Sequence, residues 1–352
     1  MMTNEASSRA TDARRAPSRV VEAGLSIIVP LFNEAGGLAA LHERISAVAR
    51  RLGETRGLKC EVVYIDDGSR DATLSVAQAL PAAALDVQVV SLSRNFGKEA
   101  ALLAGLDHAR LGAVLFMDGD GQHPPSLVET LVSHWLDGGY DVAYTAKADR
   151  ENESWLIRSG VKLFYLALNW GAHHKIPADA GDFRLLSPRA AAALRQMPER
   201  NRFFKGLASW IGFRQIRVDY KPAERAHGRT TWNIYRLVGL SIEGLTSFSV
   251  APLRLASLLG LLLAGIALIF GAQILFEVLF YGVAVPGYPS VVVGLMVLGG
   301  VQLVMIGIMG EYIGKILSEL KARPVYFVAE HSLRTAEASE QPSAPAARTA
   351  AE

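Results

Sequence analysis

The chain has 352 residues, with 36 Lys and Arg against 34 Asp and Glu, and 50% of its residues are hydrophobic. The near-neutral charge excludes a protein that binds nucleic acid mainly through its net charge, and the hydrophobic fraction excludes a largely disordered chain. Charge is unevenly distributed, because Glu277 is the only charged residue between positions 255 and 310. The average therefore combines an ordinary soluble domain with a nearly uncharged segment.

The first 24 residues are rich in Ala, Ser and Arg. They lack the apolar run of roughly 7–15 residues that a signal peptide needs. We therefore expect residues 1–24 to form a flexible tail that stays in the cytoplasm.

The soluble part begins at residue 25, where short apolar runs start to alternate with amphipathic stretches. The predicted strands cover residues 25–30, 61–66, 87–92 and 113–118, and the predicted helices between them cover residues 34–52, 72–80 and 97–109. Such a βαβ series predicts an α/β domain with a mostly parallel sheet and helices on both faces. In sheets of this kind, ligands bind beyond the carboxyl ends of the strands.

The segment after this domain predicts a membrane-attached region. Residues 230–252 are typical of an amphipathic helix at a membrane interface, and packing onto the soluble domain is the alternative. Two apolar runs, at about 255–281 and 290–310 within residues 253–310, are long enough for the roughly 20 residues that cross a bilayer. Basic residues flank the pair, so we expect both ends in the cytoplasm, followed by a juxtamembrane segment at 311–330 and a flexible tail at 331–352.

Polar clusters follow the predicted strands. Asp118 and Asp120 flank Gly119, so both carboxylates can reach one hard cation. Asp66 and Asp67 follow the second strand, where carboxylates often bind a base or a ribose. The chain lacks both the G-x-G-x-x-G and the G-x-x-x-x-G-K-[ST] patterns, which disfavours dinucleotide oxidoreductases and P-loop NTPases.

These motifs resemble those of family-two glycosyltransferases with the GT-A fold. The likeness is to the polyisoprenyl-phosphate glycosyltransferases related to dolichyl-phosphate mannose synthase and bactoprenol glucosyltransferases. It extends over about residues 25–328 and depends on segments 29–34, 66–69, 95–100, 118–125, 181–186 and 202–207. The resemblance implies a GT-A nucleotide-sugar domain at residues 25–229, followed by interface helices and a two-helix transmembrane hairpin.

The resemblance also implies an activity. Such proteins invert the sugar while moving it from a nucleotide-diphosphate sugar, of the UDP-glucose or GDP-mannose type, to undecaprenyl or dolichyl phosphate. The implied setting is the cytoplasmic face of the inner membrane, in a multi-pass protein that serves cell-envelope glycan or lipid modification. The implied cofactor is Mg²⁺ or Mn²⁺, and the implied partners are a second copy of the chain and a separate flippase for the lipid-linked product.

Site residues are transferred by matching each motif position. The residues matched to nucleotide binding are Pro30, Phe32, Glu34, Asp66, Asp67, Lys98 and Asp118. Those matched to the metal are Asp118, Asp120 and Gln122, and those matched to catalysis are Asp182 and Asp120. Those matched to the donor diphosphate or the acceptor phosphate are Lys147, Arg158, Arg225 and Arg229. The chain departs from the common pattern at Gly121, His123, Lys147 and Arg229, and both metal carboxylates are retained.

A phosphate monoester has a second pKa of about 6, so at neutral pH the acceptor is already a dianionic nucleophile. We therefore expect Asp182 to orient the acceptor or stabilise the transition state rather than act as a strong base. Three alternatives remain: a processive polysaccharide synthase, which the missing Q-x-x-R-W motif disfavours, a membrane scaffold or sugar-nucleotide sensor without catalysis, and a transporter. The last is disfavoured because Gln273, Glu277 and Gln302 are the only strongly polar residues of the spans.

Overall fold

A computed structural model of the chain describes residues 22–121, 123–124, 126–147, 180–200, 202, 204–220, 251–281 and 287–336. Within these ranges, eight strands form one sheet. They are β1 (Glu22–Leu31), β2 (Cys60–Asp66), β3 (Asp86–Leu92), β4 (Leu111–Phe116), β5 (Val142–Lys147), β6 (Ala180–Leu186), β7 (Gln215–Tyr220) and β8 (Val328–Arg334). Their order across the sheet is β7-β5-β6-β4-β1-β2-β3-β8.

The helices of the described ranges lie between and after these strands. They are α1 (Ala35–Arg56), α2 (Thr73–Ala79), α3 (Lys98–His108), α4 (Ser126–Leu136), α5 (Pro188–Gln196), α6 (Phe204–Trp210), α7 (Ala251–Tyr281) and α8 (Tyr288–Leu320). In α1, the buried residues Leu38, Leu41, Ile45, Val48 and Leu52 recur every three or four positions, which places them on one face. Gly57 ends this helix in the left-handed conformation, and its N–H donates to the Gly53 carbonyl.

Strands β1 to β4 are mutually parallel and almost wholly buried, as expected where helices cover both faces of a sheet. The chain proceeds outward from β1 to β3 and then returns to place β4 on the other side of β1. The strand order therefore reverses at β1 and β4, where open α/β sheets bind their ligands. This confirms the predicted α/β class with a mostly parallel sheet.

Strand β6 runs antiparallel to β4, with Phe116 opposite Arg184. Its first residues therefore lie at the edge of the sheet where β4 ends. Strands β5 and β7 run in the direction of β4, so Lys147 and Tyr220, paired in register, also end at that edge. Residues from four separate parts of the chain are thus brought to one place.

Two boundaries differ from those expected. Strand β1 begins at Glu22 rather than at residue 25, because Glu22 pairs with Leu111 of β4. The tail boundary expected at residue 330 falls inside β8, which pairs antiparallel with β3 and carries regular structure to Arg334.

Helices α7 and α8 cover the two apolar runs and contact each other, as where Gly260 approaches Met305. Helix α8 continues without a break through the first ten residues of the expected juxtamembrane segment. Among the described residues, one stretch, Val297–Leu320, is long and apolar enough to cross a membrane, and none of it is buried in the protein. The interface helix expected at residues 230–252 lies almost wholly outside the described residues.

Candidate active site

An ion cluster stands at the sheet edge where β4 ends and β6 begins. The ammonium of Lys98, the first residue of α3, lies 2.5 Å from Asp118 Oδ1 and 2.7 Å from Asp182 Oδ2. Lys205 Nζ lies 3.3 Å from the other oxygen of Asp182. The antiparallel register of β4 and β6 explains why two carboxylates 64 positions apart in the sequence share one cation.

The cluster keeps its groups charged. Burial alone raises the pKa of Asp182, but the Lys98 and Lys205 ammonium groups outweigh it and hold that pKa far below the usual range. Burial alone lowers the pKa of Lys98, but the Asp182 and Asp118 carboxylates outweigh burial, so the pKa of Lys98 lies above its usual value. At neutral pH the site therefore contains a carboxylate at Asp182 and an ammonium at Lys98.

His123 contacts Asp118 from the other side. Its Nε2 lies 3.6 Å from Asp118 Oδ2, and its ring stacks on Phe183 with centroids 4.7 Å apart and planes within 9°. Despite the burial of Asp118, His123 and Lys98 together lower the pKa of this carboxyl. His123, one of the four departures from the common family pattern, therefore packs inside the site.

Asp66 and Asp67, at the end of β2, form the second half of the site. The Asp67 carboxylate accepts hydrogen bonds from the backbone N–H of Phe96 at 2.7 Å and of Gly97 at 2.9 Å. Asp66 accepts from the Ser69 N–H and the Ser91 hydroxyl, each at 3.2 Å. Both carboxylates are nearly buried, so these bonds fix their orientation.

The loop after β1 lies between these two halves. Pro30, the penultimate residue of β1, is partly buried, and its carbonyl lies 3.0 Å from the position that a Cβ on Gly119 would occupy. Phe32 is 44% exposed, which leaves an aromatic face for a base. The backbone N–H of Glu34 donates to Thr73 Oγ1 at 2.8 Å, so the loop is tied to the start of α2.

The carboxylates fit a hard divalent cation. Burial, together with the negative charges of Asp118, Asp120 and Asp182, raises the pKa of Tyr220 to about 12. Among the described residues, no group of three or more His, Cys, Asp or Glu side chains could by itself hold a metal ion. Mg²⁺ is usually held by one or two carboxylates together with substrate phosphates. Asp118 and Asp120 therefore provide the number and type of protein ligands that such an ion needs.

Several expected residues lie outside the described ranges or are described only in part. Gln122, Arg158, Arg225 and Arg229 lie outside them, and Lys147 is described by its backbone alone. The remaining site residues predicted from the sequence all lie on the loops or element ends at the carboxyl edge of the sheet.

Three residues at the site had no role assigned from the sequence: Lys205, Glu99 and Tyr220. Lys205 and Glu99 lie inside quoted motifs, at 202–207 and 95–100. Burial raises the pKa of Glu99 to about 7, and its carboxylate accepts a hydrogen bond from the Phe204 N–H at 3.0 Å. Lys205 and Glu99 could have been found from the sequence, because each lies inside a motif shared with the family. Tyr220 could not, because only the pairing of β5 with β7 brings it to the site.

Sequence comparison places the chain among known proteins. The family described as Glycosyl transferase family 2 matches residues 26–194. A bactoprenol glucosyl transferase of Shigella phage SfII is 40% identical over 304 residues, which cover 86% of this chain and 97% of that protein. A prophage bactoprenol glucosyl transferase homolog of Escherichia coli is also 40% identical, over 86% of this chain and 98% of its own length. The chain belongs to glycosyl transferase family 2.

An uncharacterised glycosyltransferase of Synechocystis extends this relationship, at 39% identity over 87% of this chain and 95% of its own length. Family membership agrees with the GT-A fold expected from the motifs, and the protein is a glycosyltransferase. Among solved structures, a glucosyl-3-phosphoglycerate synthase of Mycobacterium tuberculosis with bound UDP matches at 20% identity and a TM-score of 0.42, over 64% of this chain and 79% of that one.

Proposed function

We propose that this glycosyltransferase moves a single sugar from a nucleotide-diphosphate sugar to a polyprenyl phosphate at the cytoplasmic face of a membrane. The observation that carries the proposal is the Lys98 ammonium shared by Asp118 and Asp182 at the strand-end edge. It sets carboxylates and cations side by side, which suits a reaction in which one phosphate group attacks and another departs. The relatives named for transfer to bactoprenol support the acceptor class.

The donor is proposed to bind across the carboxyl edge. Asp66 and Asp67 are oriented by hydrogen bonds and are suited to a base or ribose, and Phe32 offers an exposed aromatic face. Asp118 and Asp120 are the residues that would hold a divalent cation. A bound Mg²⁺ or Mn²⁺ neutralises negative charge on the diphosphate of the leaving nucleotide.

Asp182 is proposed to orient the acceptor or to stabilise the transition state. Lys98 and Lys205 keep its pKa far below neutrality, and a carboxylate with so low a pKa is a poor general base at pH 7. The acceptor needs little activation, because a phosphate monoester is mostly dianionic at that pH. Positioning and electrostatics therefore supply most of the rate.

The apolar helices are proposed to bring the site to the lipid. Each CH₂ group of a polyprenyl chain gains roughly 0.8 kcal/mol by staying out of water, so the phosphate must react at the bilayer surface. The candidate span Val297–Leu320 in α8 supports a membrane anchor that holds the domain there. We propose α7, which contacts α8, as the second helix of a hairpin. The second copy of the chain and the flippase stay predictions of the resemblance.

A lipid-transfer assay tests this function. The full-length protein is placed in vesicles with undecaprenyl phosphate, Mg²⁺ or Mn²⁺ and a panel of radiolabelled nucleotide-sugars, and label in the lipid phase is measured. We expect one donor to label the lipid, and Asp120→Ala to lower the rate about 10²–10³-fold. Asp137→Ala, which removes a surface partner of Arg56, serves as the matched control and should retain activity.

Two outcomes contradict the proposal. Nucleotide binding without labelled lipid, beside a control enzyme that works, indicates the sensor or scaffold alternative. An Asp120→Ala variant that transfers sugar at the wild-type rate shows that this carboxylate has no role in catalysis.

A further inference from the structure

The chain that follows α8 returns to the catalytic domain. Residues 325–334, termed here the C-terminal strap, first pack Val325 and Tyr326 against the apolar cluster on one face of the sheet. The Tyr326 hydroxyl donates to the Asp107 carboxylate at 2.8 Å. The strap then forms β8, which pairs with β3 at the edge of the sheet. Seven residues, 321–327, therefore connect α8 to an edge strand of the catalytic sheet.

The loop that follows β3, residues 93–97, is termed here the donor loop. Its Phe96 and Gly97 N–H groups hold the Asp67 carboxylate at 2.7 and 2.9 Å. Gly68, beside Asp67, approaches the same loop so closely that a Cβ there would lie 2.6 Å from the Arg94 carbonyl carbon. The position of Asp67 therefore depends on the position of the donor loop.

Phe327 of the strap contacts the donor loop at two points. Its carbonyl accepts a hydrogen bond from the Ser93 N–H at 2.9 Å. Its ring lies 6.3 Å from the Phe96 ring, centroid to centroid, at an angle of 52°. The Arg94 guanidinium lies 4.0 Å from the centroid of the same Phe96 ring. Phe96 thus joins the strap, a loop cation and the Asp67 carboxylate.

We propose that Phe327 is a positioning residue for the nucleotide half of the donor. It acts through Phe96, whose backbone N–H orients Asp67, and this inference rests on the donor site proposed above. The Phe327 side chain is 56% exposed, so packing into the core does not account for an aromatic residue here. Because only residues 321–324 separate α8 from the strap, the strap connects the helix proposed to lie in the membrane to the donor loop.

Phe327→Ala removes the ring but leaves the backbone hydrogen bond. We expect the KM for the nucleotide-sugar to rise about three- to tenfold, the range that one aromatic pair supports, with kcat changed less than about twofold. Phe327→Leu keeps an apolar contact with Phe96 and should restore most of the wild-type KM. Leu333→Ala is the matched control, because Leu333 is 42% exposed in the same strap but pairs with Gln88 instead of the donor loop.

A second measurement needs no donor. Amide hydrogen exchange at residues 94–98 should be faster in Phe327→Ala than in the wild type and unchanged in Leu333→Ala. Equal KM values or equal exchange in the two alanine variants overturn the inference, as does a Phe327→Ala variant that loses kcat alone. A wild-type protein that binds neither UDP, GDP nor any nucleotide-sugar contradicts the proposed function instead, and the exchange experiment still decides the loop contact.

Discussion

Lys98 and Asp182 lie 84 positions apart in the chain and meet through a 2.7 Å hydrogen bond between Nζ and Oδ2. Lys98 begins α3, whereas Asp182 lies near the start of β6. The same ammonium also reaches Asp118, which follows β4. One cation therefore organises carboxylates that arise from two different strands.

Removing this cation should impair catalysis more than folding. Lys98→Met keeps the length of the side chain but leaves Asp118 and Asp182 without their shared partner. Loss of one preorganised charged group costs about 2.7–4 kcal/mol of transition-state stabilisation, so we expect kcat/KM to fall about 10²–10³-fold. Burial, no longer offset by Lys98, should also raise the pKa of Asp182. The acid side of the pH–rate profile should therefore move to higher pH.

Lys59→Met provides the control for this variant. Lys59 pairs with Glu22 at 3.0 Å and lies 4.0 Å from Asp86, and it is about as exposed as Lys98. Its loss should leave kcat/KM within about twofold, since exposed ion pairs contribute roughly 0–1 kcal/mol. A Lys98→Met enzyme with the wild-type rate and pH profile contradicts the role of the cluster.

We expect the stability of the protein to depend on pH through Glu99, which is next to Lys98 in the chain. Burial raises its pKa from 4.5 to about 7, so the folded state binds more protons than the unfolded state between those values. Stability contributed by this group therefore falls as the pH rises through that window. Gln has no proton to lose, so Glu99→Gln lacks this dependence. The melting temperature of the variant, minus that of the wild type, should therefore increase as the pH rises from about 5 to about 8.

Thermal unfolding of both proteins across this range measures the effect. Glu54→Gln, at an exposed position of α1, is the control and should follow the wild-type curve. If the melting temperatures of Glu99→Gln and the wild type differ by the same amount at every pH, the carboxyl of Glu99 does not change its protonation on folding in this window.

Substitution of Glu61, which lies far from the carboxyl edge of the sheet, should strongly reduce stability. Its fully buried carboxylate accepts hydrogen bonds from Ser26 Oγ at 2.5 Å, Gln88 Nε2 at 2.8 Å and the Arg110 N–H at 2.6 Å. The Arg110 guanidinium also pairs with this carboxylate, with Nε at 3.0 Å. Glu61→Ala breaks this pair and leaves the buried Ser26 and Gln88 donors without this acceptor, so we expect the free energy of unfolding to fall by about 3–5 kcal/mol. Denaturant unfolding followed by tryptophan fluorescence measures it.

The comparison for Glu61 is a carboxylate on the surface. Glu129 pairs with Arg51 and is 41% exposed, so Glu129→Ala should change the free energy of unfolding by less than about 1 kcal/mol. Equal losses in the two variants contradict the buried network.

The first half of the sheet could be predicted from the sequence because each strand from β1 to β4 is a short apolar run between amphipathic stretches. A strand buried on both faces and a helix with one buried face leave different periodicities in the chain. The parallel order then implies that Asp66, Asp67, Asp118 and Asp120 share one edge. The location of these carboxylates thus follows from local patterns.

Contacts that depend on long-range register could not be predicted in this way. Asp182 meets Lys98 only because β6 enters antiparallel beside β4, and no local pattern specifies which strand β6 joins. Strand β8 contains Glu330, His331 and Arg334, so its residues are typical of a polar tail. Charged side chains are common on edge strands, where they prevent further pairing, and they conceal the strand from a search for apolar alternation.

Gly68 gives a test of the contact between the ends of β2 and β3. Its φ is +67°, and an added Cβ would lie 2.6 Å from both the Arg94 carbonyl carbon and the Asn95 nitrogen. Gly57, at the end of α1, has a similar φ of +62° with nothing within 4 Å of an added Cβ. Gly57→Ala therefore carries the backbone strain alone, about 1–3 kcal/mol, whereas Gly68→Ala adds a clash with backbone atoms that have no flexible side chain to move.

We expect Gly68→Ala to displace the donor loop and with it the Asp67 carboxylate. Its melting temperature should fall further than that of Gly57→Ala, and its KM for the nucleotide-sugar should rise while the KM of Gly57→Ala stays near the wild-type value. Thermal unfolding and donor titration of the two variants provide the measurements. Equal melting temperatures and equal KM values in the two variants are incompatible with the close approach of Gly68 to the loop, because strain without contact affects both positions alike.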